Sequence, residues 1–142
     1  MNVKKIWTET DFEEMGWHDS HIHAISFPND DLEFGLDIDY LFQWVLDDTS
    51  NSYKFWVSPC TLIFFNVLYL RIDIDYQNTN WLDILDINRS NPRLGLDGKT
   101  TLWDFEIVTD KGSIKFESSG YKQVVKKQPI FSQSQVLFRE KW

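Results

Sequence analysis

A chain of 142 residues that is 42% hydrophobic and 16% aromatic is predicted to be one domain, residues 1–142, with enough apolar surface for a core and too many rings for a disordered chain. Its single cysteine, Cys60, excludes an intramolecular disulfide and a cysteine-rich zinc site, and no apolar run approaches the length of a membrane span. The net charge of −8 is uneven: residues 1–50 hold twelve acids against Lys4 and Lys5, a balance of −10 that repels phosphate backbones and argues against nucleic-acid binding.

Lys4 and Lys5 have no apolar stretch behind them, so the start of the chain does not read as a signal peptide, and a cytoplasmic protein is expected. Residues 21–27 read as a first strand, ended by the turn formers Pro28, Asn29 and Asp30. In residues 32–46 every even position is large and apolar, with Glu33, Gly35, Asp37 and Asp39 between them. A period of two is that of a strand with one face on a core. Leu41 and Val45 fill the odd face as well, and fifteen residues are long for one strand, so a bulge or bend is expected near Leu41. Residues 47–52 form a loop. Residues 54–58 are extended, with Pro59 breaking the ladder at a bend or edge.

Residues 61–75 begin with Leu62, Ile63, Phe64 and Phe65, which leave neither face polar, as in a strand covered on both sides. From Tyr69 onward Arg71, Asp73 and Asp75 alternate outward. Residues 81–87 fit a short helix or a strand, and residues 88–98, with Pro92, Gly95 and Gly98, read as a loop. Residues 101–108 and 113–117 flank Asp110, Lys111 and Gly112 as the clearest hairpin. A polar stretch, 118–129, precedes a last strand at 130–138. The fold class is therefore all-β and mainly antiparallel: a sandwich or strongly curved sheet of about seven to eight strands, with at most one short helix. Leu36, Ile38, Phe64, Leu68, Trp103, Phe105 and Ile107 are expected in the core, and Asp37, Asp39, Asp73 and Asp75 in solvent. Trp44 and Trp56 join Trp103 as core candidates, whereas Trp7, Trp17, Trp81 and Trp142, near turns or ends, suit a contact surface.

The candidate chemistry lies in Trp17-His18-Asp19-Ser20-His21-Ile22-His23, which holds all three histidines. On a strand His21 and His23 share a face, and His18 in the preceding turn can join them around a metal. No fourth ligand is near in sequence, so the competing reading is a cap from Asp19 and Ser20 with surface histidines, and no cofactor is expected. Asp37, Asp39, Asp73 and Asp75 suit a solvated face better than the wrapped oxygen shell that calcium requires. Ser20 lacks a Gly-x-Ser-x-Gly elbow, Cys60 reads as an inert core thiol, and the glycines fit no phosphate-binding loop.

The opening at residues 17–25 resembles the His-Asp-Ser-x-Ile-x-x-Ile start of small β-rich bacterial domains of unknown function. Ser58-Pro59-Cys60-Thr61-Leu62-Ile63-Phe64-Phe65-Asn66-Val67 is similar to their Pro-Ala-Thr-Leu-x-Phe-x-Asn-Val segment, with Cys60 at the alanine. Some domains with comparable openings are grouped with immunity proteins of bacterial toxin systems. The resemblance covers about a third of the chain and implies no activity.

Acidity, exposed aromatic candidates and the lack of a complete catalytic set predict a non-enzymatic protein-binding domain, such as an inhibitor or immunity protein, with a basic protein partner and no membrane. Its surface is expected to include Trp17, His18, Asp19, His21, His23, Asp37 and Asp39, with Trp17 or Trp44 as the anchor. The alternatives are a metal-binding protein or metal-dependent enzyme using His18, His21 and His23, and a carrier with a small ligand inside a curved sheet.

Overall fold

The computed structural model describes residues 1–137, and ten strands account for most of them: β1 (Ile6–Thr8), β2 (Ser20–Ser26), β3 (Phe34–Asp47), β4 (Ser52–Phe65), β5 (Leu68–Ile74), β6 (Asp83–Leu94), β7 (Thr101–Thr109), β8 (Gly112–Ser118), β9 (Gly120–Val125) and β10 (Ile130–Ser132). The one helical piece among the described residues is a short 3-10 segment, Glu9–Glu14, whose entry is fixed by the Thr8 N–H donating to the Asp11 carboxylate at 2.9 Å. The fold is all-β, as its periodicity predicts, but the described residues hold ten strands rather than seven to eight. β1 spans three residues, too few for alternation to register, and β10 takes only Ile130–Ser132 of the last strand expected at 130–138. β9 lies in the polar stretch 118–129, and its inward face carries Gln123 between Tyr121 and Val125.

The sheet is antiparallel and runs β1-β9-β4-β3-β2-β6-β7-β8-β5, with β10 added to β4. It does not lie flat. Phe64 on β4 and Phe105 on β7 are four strand spacings apart in that order, about 19 Å in a planar sheet. Their ring centroids are 5.1 Å apart. Phe64 also touches Phe116 of β8 at 4.7 Å and Tyr121 of β9 at 5.6 Å. The sheet thus folds over on itself, and two apolar faces close on one core that includes Leu36, Ile38, Leu62, Ile84, Ile107 and Ile114. The bend falls between β2 and β6, where the ladder shrinks to Ser20↔Ile84 and His21↔Asp83.

The 101–117 hairpin forms as expected, and Gly112 explains its tightness. Gly112 has φ +145°, and a β-carbon there would stand 1.9 Å from the Asp73 carbonyl oxygen of β5. The bulge expected near Leu41 is present as a register shift between Leu41 and Gln43. Pro59 breaks nothing. In an antiparallel strand a residue's N–H and C=O point to the same side, and the Pro59 carbonyl accepts from Lys126 N–H just where β9 ends. The missing N–H faces the gap between β9 and β10, so β4 runs through it. Residues 88–94 are likewise strand rather than loop. A bulge between Ser90 and Arg93, with Asn91 at φ +56°, passes Pro92 along the side of β6 that β2 leaves uncovered.

Several burial expectations are corrected. Leu68 is exposed, because a register shift between Leu68 and Arg71, with Tyr69 at φ +57°, changes the parity of edge strand β5. Asp73 and Asp75 face solvent, but Asp39 is fully buried, and Asp37 is half-buried with the Thr61 hydroxyl donating to it at 2.9 Å. Trp17 is core: its indole N–H donates to Gln123 at 2.9 Å, and its rings meet Tyr121 and Phe12. Trp44 is exposed instead, and Trp56 and Trp103 are only half-buried. Phe138 of the expected last strand and Trp142 lie outside the described residues.

Two expectations follow. Gly112→Ala should lower the urea midpoint far more than Gly16→Ala, because Gly16 has open space where its β-carbon would stand. Equal midpoints would contradict the β5–β8 packing. Burial pushes the Cys60 thiol up to about 12. A thiol so raised stays protonated at pH 8, so native protein should react with iodoacetamide far more slowly than unfolded chain. Equal alkylation rates would place Cys60 outside the core.

Candidate functional site

The two strand histidines meet where the sheet bends. On β2, His21 stands across from Asp39 of β3 on one side and Asp83 of β6 on the other. Two residues later the β2–β3 register slips between Ile22 and Ala24, leaving His23 as the extra, bulged residue. A bulge re-aims side chains. His23 Nε2 lies 2.7 Å from the Asp39 carboxylate, and the His21 and His23 rings are perpendicular with centroids 4.8 Å apart.

Each imidazole therefore has its own carboxylate. Asp83 engages His21 Nδ1 at 2.8 Å with one oxygen and accepts the Trp81 indole N–H at 2.9 Å with the other. The Trp81 ring lies over His21 at 4.2 Å. The Asp83 backbone N–H in turn donates to Asp110 at 2.9 Å, tying the group to the β7–β8 turn. Asp39 also accepts the Leu137 backbone N–H at 2.8 Å. That contact explains its burial: the segment after β10 crosses the outer face of the sheet, and Leu137 joins Leu41, Phe55 and Val57 in a second small core. A cleft of about 470 Å³ remains, lined by His21, His23, Asn80, Trp81, Ser134, Val136 and Leu137.

His18 does not join them. Its Nδ1 is 3.1 Å from the Leu85 carbonyl oxygen, and its ring stacks on Trp44 at 6.1 Å. Asp19, at φ +66° in the turn, directs the chain so that His18 and His21 diverge. Among the described residues no three histidine, cysteine, aspartate or glutamate side chains form a group able to hold a metal ion. Asp37 and Asp39 on β3 and Asp73 and Asp75 around β5 lie on strands that are not neighbours. Of the residues singled out in the sequence, His21, His23 and Asp39 come together, while Trp17 is in the core and His18 and Asp19 stand apart. Asp83 and Trp81 were missed as partners of the histidines. Reading 81–87 as a strand would have put both on one face by the period of two.

A second surface feature lies at the far end of the β3–β4 hairpin. Pairing with β2 ends at Asp39 and pairing with β10 ends at Phe55, so beyond them the two strands are paired only to each other. Trp44 packs edge-on against Phe55 at 5.2 Å and Tyr53 at 5.8 Å. Trp44, Leu46 and Tyr53 are 39%, 50% and 51% exposed. Asp47 and Asp48 follow them at the turn. Lys54, 3.1 Å from Asp47, holds that carboxyl below the usual carboxylate range. Larger hollows, about 620 and 570 Å³, flank Tyr69 at the opposite rim. In the first of them the charges are matched, Arg93 to Asp104 and Glu117, and Lys115 to Glu106.

Asp39→Ala would leave the buried Leu137 N–H without its acceptor and should cost about 1–3 kcal/mol. Asp75→Ala, in solvent, should stay within about 0.5 kcal/mol of the parent. Chemical denaturation checks both, and a neutral Asp39→Ala would contradict the role of this carboxylate in holding the C-terminal segment.

Comparison with protein-family models, with curated proteins and with solved structures finds no match to this chain.

Proposed function

We propose that this chain is a non-enzymatic protein-binding domain that takes a basic protein partner at the end of its β3–β4 hairpin. The observation that carries the reading is the exposed cluster of Trp44, Leu46 and Tyr53 beside Asp47 and Asp48. Tryptophan and tyrosine are the side chains that most often supply the buried anchors of interfaces, and a rim of one charge sign steers an oppositely charged partner to them. The ring contacts with Phe55 and His18 fix Trp44 before any partner arrives, which lowers the ordering cost of association. The net charge of −8 extends the same steering field over the whole molecule.

Trp17 is removed from this surface by its burial, and Trp44 takes the anchor position. Asp39 is removed as well, whereas Asp19, beside the exposed His18 ring, stays at its border. The resemblance of residues 17–25 and 58–67 to domains grouped with immunity proteins adds one partner class: a basic bacterial toxin held inactive by stoichiometric binding.

The test is affinity capture from the native lysate, with the parent chain and the Trp44→Ala/Tyr53→Ala variant compared quantitatively. A basic protein should be retained by the parent and recovered at least about tenfold less by the variant. Its association rate should fall steeply as salt is raised from low to physiological ionic strength. No captured protein, equal recovery by the variant, or an association rate indifferent to salt would overturn the reading.

A further inference from the structure

We propose that the cleft between β2, the Asn80–Trp81 segment and residues 134–137 is a small-molecule site for a flat, uncharged ring bearing an O–H or N–H donor, with His21 Nε2 as its hydrogen-bond acceptor. The site is separate from the hairpin surface and does not depend on a protein partner.

Four observations lead to it. The first is the state of His21. A carboxylate can only accept, so the hydrogen shared with Asp83 sits on His21 Nδ1, and in the neutral ring the lone pair is on Nε2. Nε2 has no hydrogen-bond partner among the described residues, although the side chain is only 9% exposed. The second is Trp81, whose indole N–H is held by the same Asp83 carboxylate while the residue stays 42% exposed. Its ring is a fixed wall on which another ring can stack. The third is the remaining lining: Val136 and Leu137 are apolar, Asn80 brings an amide, and Ser134 accepts from the Val136 N–H at 3.1 Å, which leaves its own O–H able to donate. About 470 Å³ with mostly apolar walls and a few convergent polar groups is the form of a small-ligand site.

The fourth is charge. Asp39 and Asp83 stand directly behind the two imidazoles. The Asp83 carboxylate polarises the His21 ring toward accepting a hydrogen bond and repels an anion. The ligand class is therefore a phenolic or N–H heteroaromatic ring, and an aromatic carboxylate of the same size is disfavoured. The same arrangement makes His21 the group that would take a proton from a bound O–H or N–H, as an aspartate-oriented imidazole does in general-base chemistry.

The probes are 2-naphthol and 2-naphthoate, which share a ring system and differ in carrying a donor or an anion. Titrating 15N-labelled protein with 2-naphthol should shift the His21 Nε2 resonance and give contacts from the naphthol protons to the Trp81 ring. 2-Naphthoate should bind at least about tenfold more weakly. His21→Phe, which keeps a flat ring, should retain the native amide spectrum and lose the naphthol response. If that variant does not fold, the comparison of the two probes on the parent protein stands by itself. A His21 nitrogen that stays unmoved, equal binding of naphthoate, shifts confined to His18 and Trp44, or full binding by a folded His21→Phe would each overturn the proposal.

Discussion

Folding one open antiparallel sheet over so that its two halves share a core is the constraint from which the other features follow. Phe34, Phe64 and Tyr121, on the neighbouring strands β3, β4 and β9, meet Phe105 and Phe116 of the distant strands β7 and β8 ring to ring in the core. Each aromatic pair adds about 0.5–1.5 kcal/mol to what burial already contributes. These contacts form only if the sheet bends sharply somewhere, and the bend sits at β2 and β6, where two residue pairs carry the ladder. A flat continuation there would leave Phe64 and Phe105 on a solvated face.

The histidine group is a consequence of that bend. His21 belongs to the short ladder joining the two halves, so its neighbours are a β3 aspartate and a β6 aspartate. The bulge at His23 adds a second imidazole to the same face. Two histidine–aspartate pairs side by side would be an expensive thing to bury without partners, and here each ring has a carboxylate within 2.8 Å. The segment beyond β10 closes over the pair through Leu137, so the cleft and the second small core both depend on the hydrogen bond from the Leu137 N–H to the Asp39 carboxylate.

How much of this was legible can be read from single residues. Ile38 and Asp39 show the division clearly. Alternation placed them on opposite faces, which is correct, and Ile38 is in the core. Whether the other face is wet was decided by a segment 98 positions away, which alternation cannot register. Trp17 shows the same limit: a position before a turn suggests the surface, but Gln123, 106 residues later, supplies the partner that lets its indole go inside. Pro59 reads as a break in a strand, and Pro92, with Gly95 and Gly98, as part of a loop. Both keep their strands, because the missing donor falls where no neighbouring strand needs it. The histidines were visible as a cluster, but the turn at Asp19 and the bulge at His23 were not, and those two local distortions separate His18 from His21 and bring His23 to Asp39. Alternation alone puts Trp44 in the core because it lies in a strand that is buried along most of its length, whereas the end of the β3–β4 hairpin that carries it is exposed.

The folding of the sheet on itself is the claim on which all of this rests, and it is tested most directly by nuclear Overhauser contacts between side chains that a flat sheet would keep far apart. With selectively labelled phenylalanine, the Phe64 ring protons should give strong contacts to both the Phe105 and Phe116 rings, and the Leu137 amide should be protected from exchange. Phe64 contacts confined to its sheet neighbours on β3 and β9, with none to β7 or β8, would contradict the curled sheet and the site built at its bend.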